Sequence, residues 1–239
     1  MSGGMYTALS GMTVKLADLD RVATDLANVN TSGYKTERAA AGAAERNQFR
    51  RDLDSAIDVM TAGRKLDFRP GQIAPTGRDL DVALEGNGFF VIQTPQGERY
   101  TRDGGFMRRG DGILATRDGI PVVGQDGDIH IGDGPAKIGE DGTIRVGDAV
   151  AGRLKVVAFD APGSLVRESG ARFRATDGST PTESDARVVG GSLEAANVSV
   201  VERMATLTEI SRAFEGLQRG ISMIANDLDG RAISEFGRR

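Results

Sequence analysis

Cysteine is absent from this sequence, and with it disulfides, thiol nucleophiles and thiolate-bound metals. Tryptophan is also absent, aromatic residues are only 5%, and there is a single histidine, His130. No apolar run approaches the roughly 20 residues that span a bilayer, so direct membrane insertion is not expected. The net charge is −4 and no long Lys/Arg run occurs, which argues against a nucleic-acid partner. The opening "MSGGMYTALSGMTVKLADLD" lacks a cationic segment followed by a long apolar core. It is read as no cleaved signal peptide, so any export is expected without cleavage.

Abundant instead is glycine, with 33 residues in 239, which points to many turns. Asp-Gly pairs begin at Asp103, Asp111, Asp118, Asp126, Asp133 and Asp141, spaced alternately by eight and seven residues. Asp-Gly favours hairpin turns because glycine tolerates positive φ. The spacing predicts a meander of strands of about four to five residues in a barrel- or sandwich-like domain. "LDVALEGNGFFVIQ", "RLKVVAF" and "DARVVGG" read as alternating strands.

The two ends are different. Met5, Leu9, Met12, Leu16, Leu19, Ala23 and Leu26 step by four and three, an apolar seam along one helix. Leu207, Ile210, Phe214, Leu217, Ile221, Ile224 and Leu228 form a second seam of large side chains, about 33 Å long at 1.5 Å per residue. Each buried member contributes roughly 1.5–3 kcal/mol. Met5 and Met12 suit adaptable interfaces. The first helix is expected to stop near Asn28 to Asn30, with Gly33 in the left-handed conformation. Asn197 or Ser199 is placed to cap the second. The bland reading packs both helices on the chain's own core. The glycine-rich middle offers no broad apolar face for that, so the seams are expected to meet each other and those of neighbouring chains. These thirteen positions (the two seams without Ala23) are the candidate assembly interface.

Catalytic and cofactor motifs are missing. His130 has no second histidine or cysteine with which to share a metal, and the Asp-Gly pairs lack the calcium-loop pattern. Gly86-Asn87-Gly88 leads into a strand, so it makes no dinucleotide cradle. No catalytic residue, cofactor or metal is therefore assigned.

Three long stretches carry a resemblance. "LANVNTSGYK" after the first helix is similar to the N-terminal signature of the flagellar axial proteins. "LDVALEGNGFFVI" with "YTRDGGFMRRGDGIL" resembles their central β-motif, and "GSLEAANVSVVERMATLTEISRAFEGLQRGISMI" their C-terminal helical signature. Length and "RPGQIAPTGRDLDVAL" resemble the proximal-rod subgroup of the basal-body rod proteins. Asp25, Ser32, Tyr34 and Ala196 stand where the family commonly has Asn, Pro, Phe and Ser.

The resemblance implies an α+β chain. Terminal helices form an α-helical hairpin or coiled coil, with a mainly-β domain between them. The divisions expected are 1–36 for the N-terminal helix and signature loop, 37–68 for a connector partly helical around Phe49 to Met60, 69–190 for the β-domain and 191–239 for the C-terminal helix. Asn28, Asn30, Gly33, Tyr34 and Asn197 are the signature residues. The implied role is a structural subunit of the proximal rod in the periplasmic space, transmitting torque. Its implied partners are other rod proteins, further copies of itself and the flagellar type III export apparatus. A distal-rod subunit is the alternative within the family. From other classes, an enzyme with an unrecognised site or a free-standing adhesin or binding module is weighed against it. An enzyme should show convergent titratable groups, which the sequence does not offer, and an adhesin would not need apolar seams at both ends.

Overall fold

The computed structural model describes residues 2–39, 64–176 and 178–236. The chain is α+β, with a mainly-β centre between an N-terminal and a C-terminal helix. It divides into two compact units, one holding the helices and one built from 28–38 with 65–198. Most of the connector expected at 37–68, including Phe49 to Met60, lies outside the described residues.

The β-unit is organised by one six-stranded antiparallel sheet. Its strands follow the order Leu165–Ser169, Arg172–Ala175, Gly97–Thr101, Phe89–Thr94, Val156–Ala158, Thr182–Glu183. The strand Phe89–Thr94 was expected to alternate, but its first four side chains are all buried. Both faces of the sheet are covered, and strands in that position read as continuous apolar runs. Phe90 and Ile92 enter a core with Val82, Leu84, Phe106, Leu114, Val122, Ile129, Ile144, Leu154 and Val188. Phe89 and Val91 enter a second core with Tyr100, Val157, Phe159, Leu165 and Phe173. The scarce aromatics are concentrated there, with Phe68 edge-on to Phe89 and to Phe173 at 5.3 Å between ring centroids.

The meander is present with shorter strands than expected. Phe106–Arg108 pairs with Leu114–Thr116, Val123–Gly124 with Gly127–Asp128, and Ala136–Ile138 with Thr143–Val146 and then Ala149–Arg153. Gly112, Gly119, Gly127, Gly134 and Gly142 all have positive φ, and a turn every seven or eight residues leaves little room for ladder between them. The first Asp-Gly pair is a correction. Gly104 is not among the positive-φ glycines, and a β-carbon on it would stand 1.9 Å from the Val82 carbonyl oxygen. It is a close backbone approach and not a hairpin turn, and its own carbonyl accepts the Val82 amide at 3.0 Å.

Two further pairings close the β-unit. Val82–Glu85 pairs with Arg187–Gly190, and Ile73–Pro75 with Ser192–Glu194. His130 is exposed, on a bridge to Ile113.

In the helical unit the helices are Ser2–Ala27 and Val200–Phe236. The first ends where Asn28 begins a run of turns. The second starts after Ser199, whose hydroxyl accepts the Glu202 amide at 3.4 Å, an N-cap three residues ahead of an acidic side chain. The two run antiparallel. Gly11 faces Leu217, with 3.6 Å between a β-carbon built on Gly11 and the Leu217 Cδ1. The Asp25 carboxylate meets the Arg203 guanidinium at 3.2 Å.

Candidate assembly interface

The signature loop folds by short-range bonds. The Thr31 amide donates to the Asn28 carbonyl at 2.9 Å, the Tyr34 amide to the Thr31 carbonyl at 3.2 Å, and the Thr31 hydroxyl contacts the Asn28 side chain. Gly33 then takes φ +68°, a conformation that costs other residues energy. Its amide donates to the Glu194 carbonyl at 2.8 Å. Tyr34 is fully buried beneath the Arg167 guanidinium, 4.3 Å from its ring centroid.

Asn197 ties the loop to the start of the C-terminal segment. Its Oδ1 accepts the Thr36 amide at 2.8 Å, and its Nδ2 donates to the Asp67 carbonyl at 2.7 Å and the Arg69 carbonyl at 3.1 Å. Its own amide donates to the Tyr34 carbonyl at 3.3 Å. Asn28 is half-buried and Asn30 exposed.

Beneath these bonds lies a buried ionic clasp. Lys35 and Glu194 are fully buried and Arg102 nearly so. The Lys35 ammonium donates to Glu194 Oε1 and, at 2.9 Å, to the Arg69 carbonyl. The Gly71 amide donates to the same Oε1 at 2.9 Å, and Arg102 Nη1 to Oε2 at 3.3 Å. Arg102 Nη2 reaches the Gly86 carbonyl at 2.7 Å, and its guanidinium lies over Phe89. Burial pushes the Lys35 ammonium and the Arg102 guanidinium below their ordinary pKa values, and the Glu194 carboxylate opposes that in both. Such an arrangement adds little net stability over apolar packing, but removing one partner leaves an uncompensated charge.

The seams differ between the helices. On the C-terminal helix Ile210 is buried, and Leu207, Phe214, Leu217 and Ile221 are half-buried. The side chains of Ile224 and Leu228 lie outside the described residues. On the N-terminal helix Met12, Leu19 and Leu26 are half-buried, whereas Leu9 is 51% and Leu16 52% exposed, and Ala23 is exposed. The side chain of Met5 lies outside the described residues. Among the described side chains of this helix, the buried ones are Val22 and Asp25, off the expected seam.

Two family models match parts of this chain. A family model for the flagellar hook protein FlgE/F/G D1 domain matches 83–146, and one for the flagellar basal body rod FlgEFG protein C-terminal matches 189–234. The flagellar basal-body rod protein FlgF of Caulobacter vibrioides is 34% identical over 100% of this chain and 99% of its own. The protein of that name in Escherichia coli K12 is 33% identical over 97% of both chains. The flagellar basal-body rod protein FlgG of Borreliella burgdorferi is 30% identical over 95% of this chain and 97% of its own.

The chain belongs to the flagellar basal-body rod protein family. It is thus a structural protein and not an enzyme. Among the described residues no helix is long and apolar enough to cross a membrane, and no group of acidic residues and histidine is arranged to hold a metal. As a rod-family chain it carries a feature that sequence reasoning missed. Lys35, Arg102 and Glu194 were not singled out, though each stands inside one of the three stretches that resemble the family. The signal available was a charged residue inside each stretch, but nothing local says that the three meet.

Proposed function

We propose that this chain is a structural subunit of the proximal rod, assembling through its terminal helices as an α-helical hairpin with coiled-coil seams. The observation that carries this is the unequal burial of the seams. The C-terminal seam turns inward, while Leu9 and Leu16 of the N-terminal seam stay half exposed. Val200, Val201, Met204 and Met223 are exposed on the second helix. Large apolar side chains left in water along helices suit further helices as partners. Contacts of one patch with a different patch on the next copy build a helical filament when their rotation does not close a ring.

On this reading the partners are other rod proteins and further copies of the chain. The flagellar type III export apparatus delivers it uncleaved, and the assembled tube crosses the periplasm and transmits torque. The Leu9→Asp, Leu16→Asp double variant tests the reading. It is expected to leave the β-unit folded and to be missing from purified basal bodies, with motility lost. Normal incorporation would overturn the proposal.

The likeness to a FlgG protein over 95% of this chain supports a second reading, a distal-rod subunit. Cysteines placed singly on the exposed helix faces, cross-linked within basal bodies, separate the two by which neighbours are captured.

A further inference from the structure

We infer that the Asp25–Arg203 ion pair is the register pin of the two helices, a positioning role distinct from the seams that supply their burial. The C-terminal seam alone does not define one register. Ile210, Leu217 and Ile224 recur every seven residues, so sliding the N-terminal helix along it by a heptad meets apolar side chains again. The observed register is nonetheless the same at two separate contacts. Gly11 faces Leu217 and Asp25 faces Arg203, fourteen residues further along one helix and fourteen back along the other. A slip of one heptad in one direction would set Asp25 against Ile210, which is only 6% exposed. In the other direction it would set Asp25 against position 196, before the helix begins at Val200. Asp25 is 1% exposed, so a slipped register strands its carboxylate in an apolar seam without its cation. Gly11 does not discriminate in this way, because Ile224 or Ile210 would replace Leu217 opposite it.

A buried polar residue at one core position is an established means of fixing register in helical pairs. Here it would also decide which side chains of the N-terminal helix face outward. The inference concerns pairing within one chain and does not depend on how chains assemble.

The chain has no cysteine of its own, so the register can be read by intrachain disulfides in the full-length protein. One protein carries Gly11→Cys with Leu217→Cys, reporting the observed register. Another carries Gly11→Cys with Ile224→Cys, reporting a one-heptad slip. After mild oxidation, the 11–217 product is expected to exceed the 11–224 product by about tenfold or more. Adding Asp25→Leu, which keeps the volume apolar, is expected to bring the two yields within about threefold. Exchanging the charges, Asp25→Arg with Arg203→Asp, is expected to restore the preference. An unchanged preference in the Asp25→Leu background overturns the inference, as does failure of the 11–217 pair to close in the otherwise native chain.

Discussion

Gly33 lies directly against the peptide that joins Arg102 to Asp103. A β-carbon on Gly33 would stand 2.3 Å from both the Arg102 carbonyl carbon and the Asp103 nitrogen. The glycine is thus required twice, by its φ of +68° and by the backbone it touches. Gly33→Ala is expected to destabilise the β-unit by about 2–5 kcal/mol, combining left-handed strain with overpacking against backbone that cannot give way. Urea unfolding followed by circular dichroism measures this. A loss below about 1 kcal/mol would mean the loop moves aside freely.

The clasp beneath it responds in a characteristic way to removal of its anion. Glu194→Gln leaves Lys35 and Arg102 buried together without the carboxylate, at an expected cost of about 3–5 kcal/mol. Adding Lys35→Met removes one of the two orphaned cations, so the double variant is expected to be less destabilised than the sum of the single ones. A double-mutant cycle on urea unfolding reads that coupling. Strict additivity would show that the three side chains do not act as one unit.

Asp103 gives the β-unit a pH dependence of definite sign. Burial raises its carboxyl pKa, against the pull of the Gly105 amide and of Arg117, with Asp81 nearby adding to the rise. Between the ordinary value of 3.8 and the raised folded value, the folded state holds a proton that the unfolded state has released. Stability contributed by this group therefore falls as pH rises through that window. Asp103→Asn keeps an oxygen for the Gly105 amide, a 3.0 Å bond in the native chain, and removes the charge. Thermal melts are expected to coincide with wild type below pH 3.8 and to lie increasingly higher above it. A variant less stable than wild type at neutral pH would refute this.

How much of this could be read from residues alone depended on the range of the interactions involved. The C-terminal helix was legible because its seam is a local pattern; of the two capping residues expected, Ser199 caps it, whereas Asn197 holds the signature loop through bonds to Thr36, Asp67 and Arg69. The Asp-Gly turns were legible for the same reason, except at Gly104, where the constraint is the Val82 backbone, distant in sequence. The double burial of Phe89 to Ile92 was not, since a strand cannot report what covers its second face. Least visible was the clasp. Lys35 and Glu194 are 159 residues apart, and a lysine after Gly-Tyr reads like any surface lysine until the partner is known.

The N-terminal helix carries the last prediction, because its stability should depend on assembly. Gly3, Gly4 and Gly11 each cost about 1 kcal/mol relative to alanine, and an isolated helix of this length is marginal in water. Its partner helix covers it only in part, since Leu9 and Leu16 remain about half exposed. Completing their burial against neighbouring subunits would add about 1 kcal/mol each. That is a modest gain for each side chain, but it recurs along the seam and in every copy. In the purified chain, amide exchange across 2–27 is therefore expected to be fast, as local opening of a weakly held element. Exchange at Val82, Leu84, Phe90 and Ile92, inside the β-core, is expected to be slow by comparison. In isolated basal bodies the helix should become protected. Slow exchange across 2–27 in the monomer would show that the chain stabilises this helix unaided, and would remove assembly as the source of its order.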